Sequence, residues 1–266
     1  MAKQSGIHQL NGKVRGMSYY RQKGVEEGLA RSINAGLSKR VKEDLAYLNT
    51  RLNSREFGSA GSFAGACIRA ISERQRTMLK DFATGSCAKV VRDIIIADKS
   101  NPWGERQLVG TDWQKYLLDV LSTYAKVDFS SNVGGKWSVS VAKGEGASTW
   151  TPDAELPAGW GTPLAAKGAT GAYVDMYAYK VNLLDLGGKS LKGDSAVSLV
   201  GSVDAKIGQL ALIKQPSAID SLFNGVQADN TLQGVLVVVR PYQEVNSTKY
   251  IRQELCTFCF FDVESA

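Results

Sequence analysis

The chain of 266 residues has one histidine, few cysteines and no long apolar run. The single histidine, His8, lies close to the start among polar residues and glycines. No partner there can orient it, as catalysis by a nucleophile, base and acid triad requires. The four cysteines, Cys67, Cys87, Cys256 and Cys259, are too sparse for a disulfide scaffold, so reduced thiols are the expectation. No stretch approaches the roughly 20 apolar residues that cross a bilayer, and the basic N-terminus lacks the apolar block of a signal peptide. The expected setting is cytosolic or within a virion, without a membrane partner. A 44% apolar content is enough for a normal buried core.

Acidic residues are scarce at one end only. Residues 1–42 carry nine Lys or Arg against Glu26 and Glu27, a local charge of +7, while the whole chain is +6 and the remainder therefore −1. A basic arm on a near-neutral body points to an acidic partner, either nucleic acid or an acidic protein surface.

Along the chain, residues 5–34 hold Gly6, Gly12, Gly16, Gly24 and Gly28 around short β-favouring pieces such as Met17 to Tyr20, which reads as an extended arm with one hairpin. From Ser54, helical spacing of Phe57, Ala60, Ala64, Cys67, Ile68, Ile71, Met78, Leu79 and Phe82 predicts a long helix over about 54–83. Its FGSAGSFAGA half is rich in small residues, which suits close approach of another backbone. Gly85 is expected to end it, with a second helix over 88–98 closed by Pro102 and a third over 112–124.

Beyond Val127 the period becomes two. Segments 136–142, 172–184, 195–203, 208–214, 234–245 and 249–263 read as strands, and Glu244 to Lys249 as the turn of a terminal hairpin. The last segment is apolar on both faces, through Cys256, Phe258 and Phe260 on one side and Cys259, Phe261 and Val263 on the other, which predicts a central strand. Residues 143–171, with Gly144, Gly146, Pro152, Pro157, Gly159, Gly161, Pro163, Gly168 and Gly171, read as a long loop that orders against a neighbour. The expected fold is α+β: an extended basic arm (1–50), a helical region (51–126) and a C-terminal antiparallel β-sandwich or barrel (127–266).

Three patterns resemble catalytic or ligand motifs without their context. Cys256 and Cys259 form a C-x-x-C, but in a strand the two side chains point to opposite faces, and no second pair accompanies them. Gly187-Gly188-Lys189-Ser190 ends like a phosphate-binding loop, yet Leu183 stands where its first glycine belongs and a strand follows in place of a helix. Asp175, Asp185, Asp194 and Asp204 lie in or beside strands, where turn chemistry is the ordinary role; a hydrolase would need two of them converging in a pocket. Neither catalysis nor a cofactor or metal is expected.

The arm admits three readings. Lys13, Arg15, Arg21, Lys23 and Arg31 would contact phosphate while Tyr19 and Tyr20 stack; or the arm is a solvated tail; or it lies across a neighbouring subunit. The third is preferred because Met17 and the tyrosines seek burial as well as charge neutralisation.

The pattern of Gly12, Lys13, Val14 and Gly16, then Tyr19 and Tyr20, then Gly24 and Arg31, followed by FGSAGSFAGACIRAI, resembles small β-sandwich structural proteins common in Bacteroidetes genomes and their phages. The resemblance implies a virion component of a crAss-like or related tailed phage: a head–tail connector or tail-ring subunit, or alternatively a head-decorating protein. It implies a homo-oligomeric ring, other virion proteins as partners, a basic lining for a DNA passage, and residence in the host cytoplasm during assembly. A nucleic-acid-binding protein using the same arm is the other alternative. The expected interface comprises Lys13, Arg15, Tyr19, Tyr20, Arg21, Lys23 and Arg31 of the arm, with Trp150, Pro152, Trp160 and Pro163 of the loop.

Overall fold

The computed structural model describes residues 2–4, 10–21, 28–32, 36–108, 113–134, 138–143, 150–156, 159–185, 191–209, 211–214 and 231–262. The chain forms two compact units, residues 1–54 and 55–266.

The first unit is more than an extended arm. Strands β1 (Ala2–Gln4), β2 (Gly12–Val14), β3 (Met17–Tyr20) and β4 (Gly28–Ser32) form one antiparallel sheet in the order β1-β4-β3-β2. The β2–β3 hairpin closes at the Val14–Met17 pair over Arg15 and Gly16, which have φ of 45° and 77°. Positive φ at both central residues matches the right-handed twist of the flanking strands, which is why a glycine belongs here. Helix α1 (Leu37–Glu43) follows, then a 3-10 turn (Leu45–Tyr47) capped by Asp44, whose carboxylate accepts from the Ala46 N–H at 2.9 Å. Arg51 ties this end together by donating to the carbonyls of Val41 and Asp44.

Helix α2 (Leu48–Gln75) runs into the second unit, where α3 (Ala83–Ala97) and α4 (Trp113–Ser122) join it. Gly85 and Ser86 lie inside α3, so the expected helix break there is corrected: it falls earlier, beyond Gln75. Tertiary pairing moves it, because Lys80 N–H donates to Tyr124 C=O and Lys126 N–H to Met78 C=O, drawing 78–80 out of helical geometry. The expected close backbone approach at the glycines of α2 is likewise corrected. A Cβ on Gly58 or Gly61 would have nothing within 4 Å, and alanines 60, 64, 66 and 70 make the buried surface instead.

The remaining elements are α5 (Phe129–Val133), β5 (Ser138–Lys143), β6 (Trp150–Leu156), α6 (Thr162–Ala166), β7 (Gly171–Asp185), β8 (Leu191–Lys206), β9 (Ala211–Lys214), β10 (Thr231–Val245), β11 (Thr248–Ile251) and β12 (Thr257–Asp262). They build a five-stranded antiparallel sheet, β11-β10-β7-β8 with β12 also on β10, and a three-stranded one, β5-β6-β9. The fold is α+β. The expected loop at 143–171 is corrected, since β6 and α6 occupy much of it.

Strand alternation divides the five-stranded sheet into two buried faces. Tyr177, Tyr179, Val181, Leu232, Leu236, Val238, Phe258 and Phe260 pack with α2, α3 and α4. Val174, Met176, Ala178, Val235, Val237 and Val239 pack with Phe129, Val133, Leu156, Trp160, Leu164 and Leu255. Burial on both faces is why β10 reads as an almost unbroken apolar run. The Tyr179 hydroxyl donates to the Cys67 carbonyl of α2 at 2.9 Å, giving the one polar atom on that ring a partner in the helical layer.

The terminal segment differs from the expected single central strand in two ways. A 3-10 turn (Gln253–Leu255) splits it into β11, opposite residues 242–245, and β12, opposite 234–239. The break falls beside Pro241, which has no N–H to give a neighbour; its carbonyl accepts from Arg252 N–H at 2.8 Å. The β10–β11 hairpin turns over Asn246 and Ser247, both at positive φ. Among the described pairings β12 meets β10 alone, so it is an edge strand. Both its faces are apolar because each meets one of the two clusters, Phe258 and Phe260 on the helical side and Cys259 and Phe261, with Phe129 of α5, on the other. On α4 the Ser122 hydroxyl accepts from Phe260 N–H at 2.9 Å and donates to Leu118 C=O at 3.0 Å. Replacing Ser122 by Ala leaves the Phe260 N–H without that acceptor and is expected to cost about 1–3 kcal/mol. Urea unfolding of Ser122→Ala measures this, and an unchanged midpoint would contradict it.

Past α3, the segment 98–108 is held by two buried carboxylates. Asp98 accepts from Gln107 N–H (3.0 Å), the Asn101 side-chain amide (2.8 Å), Ser100 N–H (2.8 Å) and Asn101 N–H (3.3 Å). Glu56 of α2 accepts from Gly104 N–H at 2.8 Å. The Gln107 and Asn101 hydrogen bonds hold the Asp98 carboxyl down at about 2. A depressed carboxyl stabilises the fold above the ordinary carboxylate range, and its contribution fades as pH falls through the folded value. The protection of the Ser100 and Gln107 amides, their exchange relative to an unstructured amide at the same pH, is therefore expected to hold down to a pH of about 4 and to fall towards about 2, as hydrogen exchange reports. Asp98→Asn should show the lower protection already at neutral pH and lose the acid dependence.

Candidate functional site

The first unit carries a basic cleft whose residues come together by two simple periodicities. Across the small sheet, Lys13 pairs with Ser18 and Ser18 with Arg31, so the three form one row on β2, β3 and β4. On α1, Leu37 and Val41, and Ser38 and Lys42, are each one turn apart and share a face. With Ser32, these residues line a cleft of about 490 Å³. Among the described residues the lining has three cations, three hydroxyls and two aliphatic side chains, and no carboxylate. Lys13, Arg31 and Lys42 are exposed, and among the described residues no ion pair neutralises them. The Arg31 guanidinium lies 5.6 Å from the centroid of the Tyr20 ring.

Charge concentrates there. Residues 1–54 contain ten Lys or Arg and four Asp or Glu, whereas residues 55–266 contain 22 of each. The entire formal excess of +6 belongs to the first unit.

Of the interface residues expected in the arm, Lys13 and Arg31 line the cleft and Tyr20 stacks on Arg31. Arg15 is exposed at the hairpin turn, Arg21 is exposed just past β3, and Tyr19 is half-buried. Lys23 lies outside the described residues, as does Gly187 to Ser190. Trp150 and Pro152 belong to β6, opposite Lys143 and Val141 of β5, and their side chains are outside the description.

Trp160 requires correction as a docking residue. Trp160 is 0% exposed in the core of its own unit, and its ring N–H donates to Gln209 C=O at 2.8 Å. Two glycines make room around it: Gly161, at φ 73°, sits where a Cβ would be 3.1 Å from Ile207, and Gly208, at φ 81°, donates its N–H to Trp160 C=O. Pro163 is half-buried in the first turn of α6, where its missing N–H costs nothing. The sequence signal was ambiguous because clustered Gly and Pro serve tight internal turns as well as open loops. Trp160→Ala is expected to destabilise the second unit by about 3–5 kcal/mol. Guanidinium unfolding tests this, and a variant of unchanged stability would return Trp160 to the surface role.

A polar network on the five-stranded sheet also escaped sequence reading. Asp175, 3% exposed, accepts from Arg240 (2.6 and 2.9 Å) and from Ser202 (2.6 Å). Asp204 accepts from the Tyr242 hydroxyl at 2.6 Å and from the Lys249 ammonium. Tyr173 and Tyr242 lie 5.2 Å apart, with Lys249 over both rings and Arg240 over Tyr173. Gly171 is required beneath Tyr242, since a Cβ there would lie 2.4 Å from the hydroxyl. Burial opposes charge on Asp204, but its bonds with Lys249 and Tyr242 outweigh this and lower its pKa. The bond with Asp204 raises Lys249, and burial followed by that carboxylate raises Tyr242. Asp175 and Asp204 therefore act as mid-strand ion-pair anchors and not as turn formers. Each already faces a cation, so these two carboxylates do not form a pair poised for general acid–base work. The side chains of Asp185 and Asp194 are outside the description.

The cysteines behave as core residues. Cys67 and Cys87 are buried together in the helical layer, and burial raises Cys67 well above the ordinary thiol value. Cys256 packs in the helix-side core, where burial takes it to about 11, and Cys259 packs against the opposite cluster. The two members of the C-x-x-C therefore face apart, as the strand reading required. Among the described residues no group of three or more His, Cys, Asp or Glu could hold a metal, and no helix is long and apolar enough to cross a membrane. Neither the protein-family models nor the curated proteins compared with the chain give a match.

Proposed function

We propose that this protein is a virion structural subunit of a tailed phage, a connector or tail-ring component, that assembles through its N-terminal unit. The observation that carries the reading is the poor burial of that unit. Leu10, Val14, Leu37, Leu45 and Leu48 are all exposed, Leu45 at 80%, while Leu29 and Ala30 are its only buried apolar residues among those described. Apolar side chains left uncovered in this way are the kind that a surface beyond the unit takes up. A second copy of the chain supplies that surface repeatedly in a ring, where many weak contacts add.

The second unit supports the same reading from the other side. Its five-stranded sheet is covered on both faces, and Leu156 of β6 is buried against the face opposite the helices. We take this as a sandwich-like body in which the three-stranded sheet closes over that face. Such a body keeps its shape while its arm engages a neighbour.

In Val14→Ser/Leu45→Ser/Leu48→Ser the changed side chains are exposed, so folding is expected to be nearly unaffected. Multi-angle light scattering should give a multimer for the unaltered chain and a monomer for the variant, with the same far-UV circular dichroism. A monomer for the unaltered chain at every concentration, or an unchanged multimer for the variant, would sink the proposal.

A further inference from the structure

The geometry points to a second role for the first unit: its cleft, lined by Lys13, Arg31, Lys42, Ser18, Ser32 and Ser38, is a binding site for the phosphodiester backbone of nucleic acid. The inference stands on this unit alone and does not require the ring.

Four features of the lining converge on that ligand. First, three cations from three different elements, β2, β4 and α1, face one space with no carboxylate among the described lining residues. Several cations of the second unit, by contrast, are neutralised locally: Arg240 on Asp175, Lys249 on Asp204, Arg106 beside Glu56, Arg252 on Glu254. Cleft cations without such a partner keep their field for an incoming anion. Second, serine hydroxyls interleave with the cations, and cations with hydroxyl donors are the side chains that contact phosphate oxygens. Third, the volume of about 490 Å³ exceeds what one inorganic phosphate occupies, and Leu37 and Val41 offer apolar surface for a sugar or base edge. Fourth, the Tyr20 ring flanks Arg31, giving a flat surface at the row of the sheet that carries the cations. Among the described residues no bidentate side-chain amide lines the cleft to read a base edge, which favours recognition of the backbone independent of sequence.

The test measures fluorescence anisotropy of the full chain with a labelled single-stranded DNA of random sequence, and with its duplex, over a salt series. The unaltered chain should bind, with log affinity falling linearly against log salt. Because each phosphate contact contributes a slope of about 1, Lys13→Gln/Arg31→Gln/Lys42→Gln should reduce the slope by about 2–3 and weaken binding at low salt by tenfold or more. Lys99→Gln/Lys126→Gln/Lys206→Gln removes the same charge from the second unit and should leave the slope unchanged. Equal losses in the two triples would overturn the assignment, since total charge and not the cleft would then govern binding. Absence of DNA binding would also overturn it. So would phosphate-31 NMR line broadening of inorganic phosphate by a chain that does not bind DNA, because the cleft would then serve free phosphate only. Should the cleft triple melt early, Lys42→Gln alone must lower the slope by about 1. Light scattering on the same samples separates this inference from assembly, because the cleft variants are expected to keep the multimer.

Discussion

The structure of the second unit depends on a strand with no free side. Residues 231–239 of β10 are all buried, and β7 beside it is buried on both faces over most of its length. A strand of this kind cannot exist without two covering layers, so α2 to α4 on one face and α5, α6, Leu156 and Trp160 on the other follow from it. Fit is close where the layers meet: a Cβ at Gly234 would lie 3.0 Å from both Leu118 methyls and from Phe261 C=O. The helical layer touches the sheet at a position where only glycine lets it sit. The region between β5 and β7, outwardly a loop by composition, is thereby recruited into the core.

Much of this was legible in the sequence. Apolar spacing located α2, α3 and α4 and most of the strands of the second unit, and the polar segment around Asn246 and Ser247 marked the hairpin turn. What was not legible depends on partners distant in sequence. The break between α2 and α3 is set by hydrogen bonds from residues 124–126 and not by Gly85. The double-sided apolar pattern of β12 looked central because a covering helix and a covering strand leave the same trace in composition. Strand β6 was hidden because Pro152 and Pro157 flank or interrupt it, and proline lowers any strand reading. In the first unit the cations were plain from the start, but bringing Lys13, Arg31 and Lys42 together required the cross-strand register and the position of α1.

The two units solve opposite problems. The second satisfies its polar groups internally, even where charges are buried: Asp175 has Arg240 and Ser202, Glu56 has the Gly104 N–H, and Asp98 closes its own loop. Such satisfied networks fix one arrangement of the chain at the expense of any chemistry those carboxylates would otherwise perform. The first unit leaves its apolar side chains and its cations turned outward. Both roles proposed for it would draw on those outward groups, whereas the second unit's described polar groups are satisfied within it.

That every excess positive charge lies within the first 54 residues gives ionic strength a selective action. Counterions thin the field of the N-terminal unit, while the charge-balanced remainder, whose ion pairs are short and partly buried, barely notices them. A passage from a dilute medium into a salt-rich one would thus weaken the polyanion binding proposed for that unit and leave the architecture of the second unit intact, so that adhesion and shape would answer to different variables.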